Sequence, residues 1–328
     1  MMNRHDYDEP EEKKRRFNLF DRVRKEREGV SPDEPHAMDN PTIGNFFKLL
    51  GRKITTLLYV NLMYVFGNFP IFFALFAMTG YVSRQSYSPY YQQYAPLLGA
   101  SFFDPSPVTA SLLGIFGLHA EVYIPTAATY VFYGLALLVF LTFGPVSVGT
   151  TYLLRTMVRE EGLFLTQDFR YAIRRNWKQA IPFGIIDLGI MLLLGYDFAY
   201  FYLNLSHGTM IYVFFFLTFA MVIVYAMMRM YIYLMMITFD LSIPKLLKNA
   251  VSFTILGIKR NIMALLGILV VLAFNYVLFV VYIPIGIILP FVLDFSVCGF
   301  IAAYAAYPII KKYMIDPYYD KDGNPIEP

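Results

Sequence analysis

Six long apolar runs constrain this chain more than any other feature. They cover residues 54–78, 129–154, 180–203, 211–238, 262–282 and 288–310. A helix of about 20 apolar residues crosses the roughly 30 Å hydrocarbon core of a bilayer. Barrel strands would instead read as alternating segments of about ten residues, and none stands out. The fold class that follows is all-α: a polytopic transmembrane bundle of about six helices. Composition agrees, with 57% hydrophobic and 16% charged residues and a mean hydropathy of +0.50.

The basic residues fix an orientation. Of the 27 Lys and Arg residues, 12 precede the first run, 6 lie in residues 155–178, 4 in 240–261 and 3 after the last run. Only Arg84 falls on the other side, and Arg229 lies inside the fourth run. Cytoplasmic loops carry the excess of Lys and Arg, so both ends are expected inside. No secretory signal is expected, because residues 1–50 are strongly charged. Three regions result. Residues 1–42 form a charged cytoplasmic tail with too few apolar side chains to fold. Residues 43–313 form the membrane domain, with an aromatic outer insertion at about 79–128. Residues 314–328 form a second cytoplasmic tail. The short apolar stretch 108–118 of the insertion reads as interfacial, and the tyrosines around it (Tyr81, Tyr87, Tyr90, Tyr91, Tyr94) read as interface anchors.

Each odd-numbered run follows a short amphipathic segment ending in basic residues, at 46–53, 169–176 and 253–261. This pattern suggests three helical hairpins, each with its own interfacial helix. Arg170, Arg174, Arg175 and Lys178 recur at helical spacing beside Trp177, and Lys259 and Arg260 close the last segment. Such segments suit anionic lipid headgroups or a cytoplasmic partner.

Ionisable groups inside a bilayer are costly and mark function or a structural pair. Asp187 and Arg229 both lie roughly 10–14 Å inside the inner boundary, on neighbouring antiparallel helices. An ion pair between them fits, either as a structural bridge or as part of a proton or substrate path. Asn275 and Asp294 are matched in depth near the outer side of the last hairpin. Asn61 and Asn68 either line a polar path or join helices by hydrogen bonds. Gly144-Pro145 reads as a break in the second helix, by a proline kink or as a binding site between half-helices. Pro182 reads as lying in the first turn of the third helix.

Several chemistries find no support. Cys298 is the single cysteine, and the four histidines form no cluster. No Walker phosphate loop, His-Glu-x-x-His motif or Gly-x-Ser-x-Gly elbow occurs. The chain is expected to be no enzyme, to hold no cofactor or metal and to bind no nucleic acid.

Phe143-Gly144-Pro145-Val146-Ser147-Val148-Gly149-Thr150, then Arg155, Val158-Arg159-Glu160-Glu161, Phe169 and Asn176-Trp177-Lys178-Gln179-Ala180, resembles the YesL-like family of uncharacterised bacterial membrane proteins. Gly299-Phe300-Ile301 and Tyr307-Pro308 resemble that family's end. The likeness covers roughly residues 43–78 and 129–313 and departs in the insertion and the charged N-terminal tail. It implies a five- or six-helix protein of the bacterial cytoplasmic membrane, associated with carbohydrate ABC importers. The chain lacks the Glu-Ala-Ala coupling pattern of importer permeases, so an accessory subunit partnering ABC permease subunits is the first expectation. A small secondary transporter or channel using Asp187, Arg229, Asn275, Asp294 and Asn61 is the second. A membrane scaffold or signalling protein is the third.

Overall fold

The computed structural model describes residues 41–79, 81–86, 107–108 and 120–318. The 1–40 tail, most of the insertion with residues 109–118 of its apolar stretch and Tyr87–Tyr94, and residues 319–328 lie outside the described residues.

The elements are α1 (Ile43–Gly67), α2 (Ile71–Thr79), β1 (Tyr81–Ser86), β2 (Ala120–Pro125), α3 (Ala127–Ala136), α4 (Val139–Val158), α5 (Leu165–Leu203), α6 (Thr209–Thr238), α7 (Ile243–Leu256), α8 (Ile258–Val281), α9 (Ile283–Leu289) and α10 (Phe295–Ile310). Five stretches are single spans by length and apolarity: α3–α4, α5, α6, α8 and the run from α9 through α10. The pair α1–α2, bent by 59°, makes a sixth when it is counted as one broken span. The bend falls at Asn68-Phe69-Pro70, where proline lacks an N–H and its ring disfavours a helical residue before it. Asn68 Nδ2 donates to the Tyr64 carbonyl at 3.1 Å, within the bend.

The outward faces are apolar. Leu266, Leu269, Val270 and Phe274 of α8 are all exposed, and only Asn261 and Ala264 of that helix are buried. Apolar surface on this scale is what lipid covers. The core sits at one end of the bundle, where Met230–Ile237 of α6 are buried on every side. Polar contacts tie the basic segments together there. Arg52 of α1 pairs with Glu160 after α4. Arg155 Nη1 donates to Thr238 Oγ1 at 3.0 Å, and Gln179 donates to the Leu241 carbonyl. The Tyr304 hydroxyl of α10 donates to the Thr42 carbonyl at 2.9 Å, so the first and last helices meet at this end.

The helices differ from the sequence expectation in four places. First, α4 runs unbroken through Gly144-Pro145; the interruption falls earlier, between α3 and α4. Gly144 instead marks a close crossing. A Cβ there would stand 2.8 Å from the Cα of Gly184 and nearer still to the Ala180 carbonyl. Lipid gives no hydrophobic drive between helices, so small residues that let backbones touch hold such crossings. Gly149 likewise seats the Phe169 ring, with a Cβ reaching 2.5 Å from Cε2. Second, the amphipathic segments of the first two hairpins are not separate. Residues 46–53 belong to α1, and 169–176 form the start of the 39-residue α5, so Pro182 lies mid-helix. The third segment, 253–261, is split at Gly257 between the end of a separate helix, α7, and the first turn of α8, so Lys259 and Arg260 open the span itself. Third, the last span begins at Ile283 and passes through a π-helical turn, Pro290–Asp294. Fourth, the ends of the insertion pair as antiparallel strands, Tyr81 opposite Pro125 and Ser86 opposite Ala120.

Candidate functional site

One stripe of α6 carries Tyr225, Arg229 and Tyr233, spaced four residues apart and therefore stacked on one helix face. All three point at Asp187 of α5, which is fully buried. Arg229 Nε donates to Oδ1 at 3.1 Å and to Oδ2 at 3.0 Å. The Tyr225 hydroxyl donates to Oδ1 at 2.7 Å and the Tyr233 hydroxyl to Oδ2 at 2.6 Å. The carboxylate thus accepts four hydrogen bonds in a setting where each missing one would cost dearly. The Arg229 guanidinium lies 5.4 Å from the ring centres of both Phe143 and Tyr233, which fixes its plane.

The network borders a cavity of about 530 Å³ between α1, α4, α5, α6, α8 and α10. Most of the wall is apolar, including Leu194, Phe198, Leu265 and Phe295. The polar part is Arg229, Tyr225, Tyr233, Tyr64, Ser147 and neighbouring threonines. Arg229 keeps 30% of its side chain exposed while Asp187 keeps none. Ser147 is buried, and its Oγ has no hydrogen-bond partner. This volume and lining fall in the range of small-molecule sites.

The other polar residues singled out from the sequence do not join this site. Asn275 and Asp294 do not pair with each other. Asn275 Nδ2 donates to the Gly286 carbonyl at 3.1 Å, inside the turn between α8 and α9. Asp294 is buried at the end of the π-helical turn, with Oδ2 unpartnered. Asn61 lines no path. It donates to the Pro290 carbonyl at 2.9 Å and accepts from the Ser296 N–H at 2.9 Å. It thereby serves backbone groups at the two ends of the π-helical turn, where no water would. Arg170, Arg174, Arg175, Lys178 and Lys259 are exposed, whereas Arg260 donates to the Tyr304 carbonyl at 3.3 Å and is half-buried. Among the described residues no three His, Cys, Asp or Glu side chains stand close enough to share a metal ion.

Tyr225, Tyr233 and Tyr64 were not singled out from the sequence, and Ser147 stood there only within the family-like stretch. Tyrosines four residues either side of an intramembrane arginine were a readable signal for the first two. Nothing local marked Tyr64 or Ser147, because their places depend on how α1 and α4 pack against α6.

Residues 124–198 match the family model of a protein of unknown function, DUF624. The match covers less than a quarter of the chain. It takes in α3, α4 and most of α5, with the Gly144–Gly184 crossing and Asp187, and stops before Arg229. No curated protein matches the chain, and no solved structure does.

Proposed function

We propose that this chain is a non-enzymatic, multi-pass protein of the bacterial cytoplasmic membrane, with both ends inside. In this reading it binds a small solute in the cavity beside Arg229 and carries it as a secondary transporter. The observation behind this reading is the cavity itself, bordered by a fully hydrogen-bonded buried ion pair. A purely structural ion pair has no need of a chamber beside it. The contacts at the basic end (Arg52 with Glu160, Arg155 with Thr238) tie the helices together on that side.

Gly195 supplies the test. It lines the cavity, and a Cβ built on it meets nothing within 4 Å. Gly195 is exposed at the rim of the cavity, so Gly195→Trp should set an indole across its mouth without disturbing the packing. A panel of sugars, amino acids, nucleosides and organic acids, screened by thermal stabilisation of the purified protein, should yield a solute that stabilises wild type and not Gly195→Trp. The same solute should enter proteoliposomes through wild type only. Equal stabilisation of both proteins would refute the reading.

A second reading is an accessory subunit of a carbohydrate ABC uptake system. It rests on the resemblance of residues 143–180 to the YesL-like family. The exposed Arg170, Tyr171, Arg174, Arg175, Trp177 and Lys178 face of α5 would be its docking surface. Recovery of a permease in near-stoichiometric amount on affinity purification from mild detergent would favour it. Recovery of the chain alone would count against it.

A further inference from the structure

The way Arg229 meets Asp187 leaves much of the arginine unused. Both carboxylate oxygens are reached by Nε alone, whereas the usual fork engages two nitrogens. The remaining acceptor positions of Asp187 are filled by the hydroxyls of Tyr225 and Tyr233. The two Nη amino groups, with four N–H bonds, find no carboxylate or carbonyl among the described residues. Arg229 is a wall of the cavity. Its neighbours on that wall are Tyr64 and the buried, unpartnered Ser147 hydroxyl. These groups all have hydrogens to donate. The side-chain acceptor capacity of the lining lies only in hydroxyl oxygens and the Cys298 sulfur.

A donor-rich cluster with no carboxylate or carbonyl to meet it, one member a guanidinium beside two rings, is complementary to an oxyanion. The rest of the lining is apolar and is complementary to hydrocarbon. We infer that the cavity takes an organic anion, with a carboxylate or phosphate against Arg229 and Ser147 and an apolar body along Leu194, Phe198 and Leu265. This rests on the solute-cavity reading above and names the substrate class for it. Asp187 is in this scheme a positioning residue. It spreads its charge over three donors and turns the Nη edge of Arg229 away from itself. The anion could come from the bilayer as an acyl lipid or from water as a free acid; the headgroup chemistry is the same.

The test uses the full chain in neutral maltoside micelles, titrated with octanoate, octyl phosphate and octan-1-ol and read by thermal stabilisation. Wild type should respond to both anions at concentrations roughly tenfold below those needed for the alcohol. Ser147→Ala removes a small hydroxyl that lies beside the Tyr64 and Tyr233 hydroxyls without a hydrogen bond of good geometry, so the variant should fold normally. It should bind octanoate about tenfold more weakly and the alcohol unchanged, as the loss of one hydrogen bond to a charged group predicts. Arg229→Lys keeps a cation beside Asp187 but loses the planar fork, and should also lose octanoate selectively. Equal responses to octanoate and octan-1-ol in wild type would overturn the anion assignment and leave the cavity reading standing. No response to any of the three would overturn both. Mass spectrometry of a solvent extract of the purified protein distinguishes the sources. An acyl anion retained by wild type at near-stoichiometric amount and lost from Ser147→Ala supports a bilayer source. Its absence alongside octanoate binding supports a water-borne acid.

Discussion

Replacing Gly144 by alanine puts a methyl group where the backbone of α5 already stands. The new Cβ would lie 2.8 Å from the Cα of Gly184, whereas packed carbons sit about 3.5–4.0 Å apart. The Ala180 carbonyl oxygen is nearer still, so the helices must part by more than about 1 Å at their crossing, which forfeits about half of each dispersion contact nearby. Overpacking of this kind costs about 1–3 kcal/mol. Gly184→Ala should cost a similar amount, because its Cβ points back at the Gly144 backbone. Once one change has moved the helices apart, the second meets less resistance, so the double variant should cost less than the sum of the two. Gly189→Ala is the control: it lies on the same helix as Gly184 with nothing within 4 Å and should leave stability unchanged or raise it by up to about 1 kcal/mol. Reversible unfolding in mixed micelles at increasing dodecyl sulfate measures all four. A Gly144→Ala protein as stable as wild type, or a Gly189→Ala protein equally weakened, would refute the crossing argument.

Arg229→Gln or Asp187→Asn alone leaves an unmatched buried group and should cost about 3–5 kcal/mol in the same assay, while the double variant should recover most of that loss. Tyr233→Phe removes one of the four bonds to Asp187 and should cost about 1–3 kcal/mol. Asn261 accepts from the Tyr231 hydroxyl at 2.6 Å and donates to the Thr254 carbonyl at 3.0 Å. Asn261→Ala should therefore loosen α7, seen as faster amide exchange over 243–256 with α4 and α5 unchanged. Asp294→Asn removes a carboxylate whose Oδ2 has no partner, so it should leave melting temperature unchanged or raised; a large drop would mean that Asp294 has a partner in the folded protein.

The spans were legible because a bilayer demands long apolar runs, and nothing local disguises them. The bend in the first span has a local cause at Pro70, since proline acts through its own backbone. Gly144-Pro145 misled for the opposite reason: the glycine serves a neighbour 40 residues away, Gly184, and the proline is absorbed within a continuous helix. The separate interfacial helices were over-read, because an amphipathic segment joined in phase to a span looks the same in sequence as a detached one. Only Gly257 detaches one. Asp187 and Arg229 could be matched by depth, since adjacent antiparallel helices share a ruler. Depth also matched Asn275 with Asp294, yet the π-helical turn and the α8–α9 bend draw them to different partners. Asn61 could not be assigned, because its acceptor and donor lie more than 200 residues away in a turn that no local pattern announces. The residues that best explain the family-like stretch, Gly144, Gly149, Phe169 and Ala180, are packing contacts between α4 and α5. That stretch therefore identifies a fold element more than a chemistry.

Cys298 offers the most direct test of the solute cavity. It is the single cysteine of the chain, and it lines the cavity. In proteoliposomes of the full chain, its labelling rate by a membrane-impermeant sulfonated thiosulfonate can be compared with that by N-ethylmaleimide, and wild type with Gly195→Trp. A water-accessible solute chamber predicts that the impermeant reagent labels wild type and that Gly195→Trp blocks it. Labelling by the permeant reagent alone, unaffected by Gly195→Trp, would mean a groove filled by lipid chains and would contradict the account.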